Sequence, residues 1–224
     1  MFLLPQGADL PSEALALDHL LGGELAEVRA AEFKGKLGEV AVVRGAGRLR
    51  EDAVALLGLG AADQLDGVRL RAAIQIGLRA LAARGVLTPS LRWTGEPAPG
   101  LGQTAVGAAA LEASVLARWS EATRRTGQPP KLHAALHLEG FDGLDAATAA
   151  EAAVLGEATN LARELVNAPA NELTPAELAR CAAEVAGESG LECEVLGDRE
   201  LRKLGYGAIL AVAAASQFPA QMVV

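Results

Sequence analysis

The chain passes from one helix pattern to the next across Ala162–Pro175, which reads ARELVNAPANELTP. A helical pattern over 147–166 predicts a long helix before this crossing, and Pro169 forbids its continuation because proline has no backbone N–H to donate. Thr174 is a predicted N-cap with a proline at the first helical position, and Glu177 at the third can close a capping box. The stretch therefore predicts a helix exit, a proline-stiffened crossing and a helix entrance.

Helix and strand patterns continue after the crossing. An apolar stripe predicts the buried face of the new helix, and 191–196 reads as a strand. Asp198 is a predicted cap of a short helix that runs to Leu204. The apolar residues 222–224 read as the opening of another strand, so we expect the polypeptide to be cut there rather than finished. The stripe consists of Leu178, Cys181, Ala182 and Val185.

The sequence before the crossing also alternates strands and helices, which is typical of an α/β sheet with helices on its faces. Aromatic residues make up only 3% of the chain, so its core must consist mostly of Ala, Leu and Val. Pro89 should place its strand at an edge or a bulge of the sheet. The predicted strands cover 38–43, 53–57, 86–93 and 131–138, the predicted helices 66–84 and 102–126, and a turn-rich joint 140–145.

Composition indicates an acidic globular protein. The 224 residues are 51% hydrophobic and 21% charged, with a net charge of −8. This charge argues against non-specific nucleic-acid binding, which depends on Lys and Arg neutralising phosphates. Cys181 and Cys193 form neither a CxxC motif nor a disulfide framework, so we predict a cytoplasmic protein. No run reaches the roughly 18 apolar residues of a membrane helix, and the start lacks the basic region of a signal peptide.

No motif for chemistry stands out. Gly58-Leu59-Gly60 follows a strand, but Asp63 stands where a dinucleotide fingerprint needs its third glycine, which favours a tight turn. His133 and His137 share a strand pattern that places them roughly 13 Å apart, too far for one zinc ion. His19 lies far away in sequence. We find no nucleophile elbow and no dense carboxylate cluster, and therefore predict no catalytic, metal-binding or cofactor-binding residue in this chain.

The crossing resembles a sequence run of the leucine (cytosol) aminopeptidase family, AR-[DE]-L-V-N-x-P-x-N-x-L-T-P. Two further stretches are similar to that family: Phe33–Glu39 with Ala55–Gly60, and Leu204–Val212 with Ser216 and Pro219. Tyr206 stands where the family usually has methionine, and Ala215 where a glycine usually precedes the serine. Between 101 and 131 we find no close match. The residues that carry the family signature are Asn167, Pro169, Asn171, Thr174 and Pro175.

The resemblance implies a two-domain enzyme. We expect an N-terminal macro-like α/β domain with a mixed sheet at 1–143, a linker helix and crossing at 144–173, and the start of an incomplete α/β catalytic domain at 174–224. Family members bind two divalent metals, zinc or manganese, usually form hexamers, and remove N-terminal residues from peptides. Their metal motifs, of the types GKGxxFDSGG and NTDAEGR, do not occur here, so no catalytic or metal-binding role transfers to any residue.

Two functions stay open at this point. The chain is part of an aminopeptidase and inactive alone, or it is a non-catalytic binding or scaffold protein that kept the N-terminal domain for oligomer or ligand contacts. Nucleic-acid binding is the weakest alternative because of the negative charge. In either case, the apolar residues Leu178, Val185 and 209–212 should pack on the N-terminal domain or in an oligomer interface, since large exposed apolar patches are uncommon.

Overall fold

A computed structural model describes residues 1–93, 101–120, 135–141 and 143–224. The chain divides into two compact units, Met1–Asn160 and Leu161–Val224. The division falls inside one long helix, α5 (Ala146–Asn167). The two units are described separately.

The first unit is built on a five-stranded mixed sheet. Its strands are β1 (Phe2–Leu4), β2 (Val40–Arg44), β3 (Ala53–Gly58), β4 (Ser90–Arg92) and β5 (His137–Glu139). Their order across the sheet is β2-β3-β1-β4-β5, and only β2 runs antiparallel to its neighbour. The short central strand β1 is fully buried, as expected for a strand covered on both faces.

Helices cover both faces of this sheet. Alternation along β1 sends Phe2 and Leu4 to one face and Leu3 to the other. Phe2 and Leu4 pack with α1 (Ser12–Leu21) and α2 (Glu24–Ala31). Leu3 packs with α3 (Gly67–Ala83) and α4 (Gln103–Ala117). The predicted α/β fold, with a mixed sheet and helices on both faces, is confirmed.

The long helix α5 packs on α4 at a glycine. A Cβ on Gly156 would lie 2.8 Å from the Cβ of Val115, so only a glycine lets the two helices approach this closely. The Asn160 side-chain amide donates to the Val115 carbonyl oxygen at 2.9 Å. The first part of α5 therefore belongs to the layer formed by α3 and α4.

Several predicted boundaries in the first unit are wrong. Strand β2 begins at Val40, because Gly38 adopts a left-handed φ of 76°. Strand β4 is shorter than predicted. It also lies inside the sheet and not at an edge, because Pro89 precedes its first residue and so removes no hydrogen bond from the ladder. Helix α4 ends at Ala117 and β5 covers only His137–Glu139. The predicted helix residues 121–126 and strand residues 131–134 lie outside the described residues.

The second unit combines helices with a two-stranded sheet. Its helices after the crossing are α6 (Pro175–Ser189), α7 (Asp198–Leu204) and α8 (Gly207–Ala213). Strands β6 (Val195–Gly197) and β7 (Gln221–Val223) pair antiparallel. A small core joins them, with Leu196, Leu201 and Ala220 buried.

Three local predictions in this unit need correction. The buried residues of α6 are Ala179 and Ala186, whereas Leu178 and Val185 of the predicted stripe are exposed. Helix α7 is capped by Gly197, and Asp198 is its first residue. The predicted strand at 191–196 is shorter and begins at Val195. Across the described residues, no helix is long and apolar enough to cross a membrane.

Candidate functional site

The signature segment forms the turn between α5 and α6. The Asn167 side-chain amide donates to the Arg163 carbonyl oxygen of its own helix at 2.7 Å. The Pro169 carbonyl then accepts from the N–H groups of Glu172 and Leu173, both at 2.9 Å. These bonds satisfy backbone groups at the helix exit and fix the turn between the two helices.

The entrance to α6 is capped as predicted, but only in part. The Thr174 hydroxyl oxygen accepts a hydrogen bond from the Glu177 N–H at 3.3 Å, with Pro175 at the first helical position. The reciprocal half of the capping box does not form, because the Glu177 carboxylate pairs with Arg180 at 2.5 Å instead. Asn167, Pro169 and Asn171 are exposed, whereas Thr174 and Pro175 are half-buried.

Metal ligands are not assembled in the part of the chain that the structure describes. No group of three or more His, Cys, Asp or Glu side chains there could hold an ion. His19 on α1 and His137 on β5 are both exposed, and His133 lies outside the described residues. Cys181 and Cys193 are free thiols, each half-buried. The described residues therefore do not fit the paired metal ions that the resemblance implies.

The Gly58-Leu59-Gly60 stretch forms the tight turn that the sequence predicts. Gly60 has a left-handed φ of 77°, and its N–H donates to the Gly35 carbonyl at 2.9 Å. The loop around Gly35 covers the carboxyl ends of β1 and β3, where a Cβ on Gly35 would lie 2.9 Å from the Gln6 Cα. Ligands of open α/β sheets bind at these strand ends. Here, the chain's own loop fills the space beside Gly58.

The opposite end of the sheet carries a polar cluster that the sequence analysis missed. The Met1 α-amino group donates to the Ser90 carbonyl oxygen at 2.6 Å. Glu139 accepts hydrogen bonds from the Ser90 hydroxyl and from the Arg92 guanidinium. Ser90 and Arg92 lie two residues apart on β4, opposite β5, so strand alternation would have grouped them with Glu139 had the register been known. A cleft of about 430 Å³ opens beside Met1 and Ser90.

The electrostatics of this cluster favour structure over catalysis. Burial, with a smaller effect of the Arg92 charge and an opposing effect of Glu139, lowers the pKa of the Met1 α-amino group to about 6. Hydrogen bonds from the Ser90 hydroxyl and then from Arg92 lower the pKa of Glu139. A carboxylate whose pKa is lowered is a poor general base, because efficient bases have pKa values near the working pH. Ser90 therefore has no activating partner here.

Comparison with known proteins shows which family this chain belongs to, which the geometry alone does not. The profile described as "Cytosol aminopeptidase family, N-terminal domain" matches residues 1–128, more than half of the chain. The chain belongs to the cytosol aminopeptidase family. The profile described as "Cytosol aminopeptidase family, catalytic domain" matches residues 160–224. The resemblance carried by the signature segment is thus confirmed, with the N-terminal domain followed by the start of the catalytic domain.

Relatives in this family share about a third of the residues. A "Probable cytosol aminopeptidase" of Rippkaea orientalis is 35% identical over 99% of this chain and 45% of the relative. A protein of the same name from Solibacter usitatus is 33% identical over 87% of this chain and 40% of the relative. The chain thus spans less than half the length of the curated relatives that it matches.

Solved structures show the same fold. The "Bottromycin maturation enzyme BotP in complex with Mn" superposes with a TM-score of 0.77 and 26% identity, over 99% of this chain and 43% of that one. The "Tomato leucine aminopeptidase mutant - K354E" superposes with a TM-score of 0.84 over 99% of this chain and 46% of that one. At 23% identity, the tomato structure is a likeness of fold alone.

Proposed function

We propose that this chain supplies the N-terminal domain and the first part of the catalytic domain of a metal-dependent aminopeptidase, and that it is inactive on its own. The observation that carries the proposal is the order of the two family matches, 1–128 followed by 160–224. The lack of a metal-binding group of three or more side chains among the described residues supports a division of roles in which other parts of the enzyme hold the metals.

The described residues have a structural role in this proposal. The first unit has a hydrophobic core on each face of its sheet. The signature segment orients α6 through the Thr174 cap and the bonds to Pro169. We place the working enzyme in the cytoplasm, as a homo-oligomer that is a hexamer by family resemblance, with two zinc or manganese ions and peptide substrates.

Hydrolysis of leucine p-nitroanilide tests the proposal. The purified chain, with its mass verified as 22.9 kDa, is assayed with added manganese, with and without chelator. We expect no turnover, while the full-length Rippkaea orientalis relative, assayed in parallel, is the positive control. Chelator-sensitive turnover by the chain alone would show that its own residues form a metal site and would refute the proposed division of roles.

One observation favours a second candidate, a non-catalytic binding or scaffold protein. The first unit contains 30 of the 35 hydrophobic residues that are buried in the described structure, so it has a substantial hydrophobic core of its own. A chain of this kind could act through contacts alone. Light scattering of the purified chain between micromolar and millimolar concentration tests this candidate: a stable homo-oligomer without turnover supports it, and a monomer at all concentrations contradicts it.

A further inference from the structure

Strand β2 forms one edge of the five-stranded sheet, and half of its backbone groups face away from that sheet. Among the described strands it pairs only with β3. The residues that flank it, Glu39 and Gly45, each bond to the β3 side through a hydrogen bond of 2.8 Å. Because bonded residues alternate along an antiparallel ladder, Val40, Val42 and Arg44 direct their N–H and C=O groups outward. Within the described residues, no hydrogen bond satisfies these outward groups.

This edge lacks the features that protect most edge strands from pairing. Natural sheets use proline, lysine, bulges and very short strands for that purpose. Strand β2 contains neither residue type, and all five of its residues pair with β3 in unbroken register. Its one charged residue, Arg44, is the last. The opposite edge strand, β5, has only three residues and ends in the charged Glu139. Strand β2 is therefore the less protected edge of the sheet.

The side chains along the edge suit an apolar contact. Val42 is half-buried and belongs to neither of the hydrophobic clusters described for this unit. Ile76 of α3 is 47% exposed and lies over the start of the strand, since its Cδ1 would be 2.8 Å from a Cβ on Gly38. Leu37, the preceding residue, is 43% exposed. The outward backbone groups thus have exposed apolar side chains beside them.

A second copy of the chain fits this edge in one register. When two β2 strands run antiparallel about a two-fold axis, Val42 of each copy lies opposite Val42 of the other, and Val40 lies opposite the partner's Arg44. This register joins all of the outward groups of both strands. A shift by two residues would instead bring Gly38 or Ala46 into the ladder, and these have left-handed φ values of 76° and 48°.

The arginines do not oppose this pairing. In the register centred on Val42, the Arg44 residues of the two copies are four residues apart along the ladder, which is about 14 Å at about 3.4 Å per residue. This separation exceeds the Debye length of about 8 Å at physiological ionic strength, so the repulsion between the two guanidinium groups is largely screened.

We propose that the β2 edges of two copies of this chain pair antiparallel about a two-fold axis at Val42, so that one continuous sheet runs through both copies. The occupant of the edge is a second copy because the strand is complementary to itself in hydrogen bonds, apolar contact and charge. This inference rests on one part of the proposed function, the homo-oligomer, and names the surface through which two copies associate.

Charged substitutions at Val42 test the pairing. Val42→Lys and Val42→Glu each place like charges directly opposite each other at the two-fold axis, which destabilises a strand pair. An equal mixture of the two variants places opposite charges there instead. Val154→Lys is the matched control, because Val154 is an exposed valine of α5, with 62% of its surface accessible. Sedimentation velocity of the 224-residue chain, between micromolar and millimolar concentration, measures the dimer dissociation constant of each sample.

We expect the wild-type chain and Val154→Lys to form dimers with the same dissociation constant. Each charged Val42 variant alone should raise this constant by about tenfold, the equivalent of about 1.4 kcal/mol, and the mixture should return it to within about threefold of the wild-type value. Amide exchange at Val40, Val42 and Arg44 should slow as the dimer forms. The tryptophan-monitored urea transition of each variant, measured below the dissociation constant, verifies that the first unit is folded.

Four results would overturn the inference: a wild-type chain that is monomeric at all concentrations, unchanged association of the charged Val42 variants, an equal loss with Val154→Lys, or a mixture that stays monomeric. A monomeric chain that binds the unmatched portion of the Rippkaea orientalis relative, and loses this binding in Val42→Lys, would assign the edge to another part of the enzyme and would contradict the pairing as well. Pairing and hydrolysis fail separately. Chelator-sensitive turnover of leucine p-nitroanilide by the chain alone would contradict the proposed function and leave the pairing of β2 intact.

Discussion

The tightest backbone packing in the first unit predicts that Gly58→Ala is strongly destabilising. A Cβ on Gly58 would lie 2.7 Å from the Gly35 carbonyl carbon and closer still to the Lys36 carbonyl oxygen. Both neighbours are backbone atoms, so no side-chain rotation can relieve the overlap. The loop cannot shift freely either, because Gly58 donates to the Glu39 carbonyl at 2.8 Å and accepts from the Gly38 N–H at 2.9 Å.

The expected loss in the free energy of unfolding has two parts, the overpacking itself and the weakening of a hydrogen bond. Forcing an extra carbon into a well-packed site costs about 1–3 kcal/mol. Displacing the loop also weakens the bond from the Gly60 N–H to the Gly35 carbonyl, worth about 1 kcal/mol net. We expect a loss of about 2–4 kcal/mol. With a urea m-value of about 2 kcal/mol/M, this is a decrease of about 1–2 M in the unfolding midpoint.

Tryptophan fluorescence in urea measures this change in the first unit alone, since both tryptophans, Trp93 and Trp119, belong to it. Gly187→Ala is the control: it lies in α6, and its Cβ would have no neighbour within 4 Å. The control should leave the tryptophan transition unchanged and stabilise α6 by about 0.5–1 kcal/mol. A decrease of less than about 0.5 kcal/mol for Gly58→Ala would refute the steric reasoning.

Three further predictions concern single polar contacts. Asp18→Ala should cost about 1–3 kcal/mol in the tryptophan-monitored transition, because the buried Leu25 N–H loses its acceptor at 2.7 Å. Thr174→Ala should lower the stability of α6 by about 1 kcal/mol by circular dichroism, and Thr174→Ser should retain most of it. The pKa of Glu139 is lowered in the folded state, so its ionised carboxylate stabilises the fold at a pH above its ordinary pKa of 4.5. This stabilisation is lost as the pH falls below 4.5 and the carboxylate is protonated. Glu139→Gln should therefore be less stable than wild type at pH 7, by under about 1 kcal/mol for this exposed pair, and the difference should vanish in acid urea titrations.

Helices whose ends are marked by capping residues could be predicted from the sequence. Helix α3 was expected over 66–84 and spans Gly67–Ala83, because the Asp66 side chain accepts from the Arg69 N–H at its start. Helix α6 likewise begins where Thr174 and the following proline predict. Such caps depend only on neighbouring residues, so the sequence contains all the information that they need.

The central strand β1 could not be predicted in this way. Phe2–Leu4 has three residues, all apolar, and this is too short to show a period of two. Its pairing with β3 and β4 joins it to residues more than fifty positions away. The cluster of Ser90, Arg92 and Glu139 was missed for the same reason, because the register between β4 and β5 brings it together.

The error on α6 is of another kind, because the amphipathic pattern of the helix was recognised correctly and its buried side was not. Leu178 and Val185 satisfy helical periodicity as well as Ala179 and Ala186 do, yet only the alanines are buried. Periodicity predicts which residues avoid water, whereas burial also requires an element that covers them. The sequence pattern of α6 therefore identifies its apolar residues, but it does not tell which of them another element of the fold covers. In the second unit, α6 packs on β7, and it does so with its alanines buried and its two larger apolar side chains exposed.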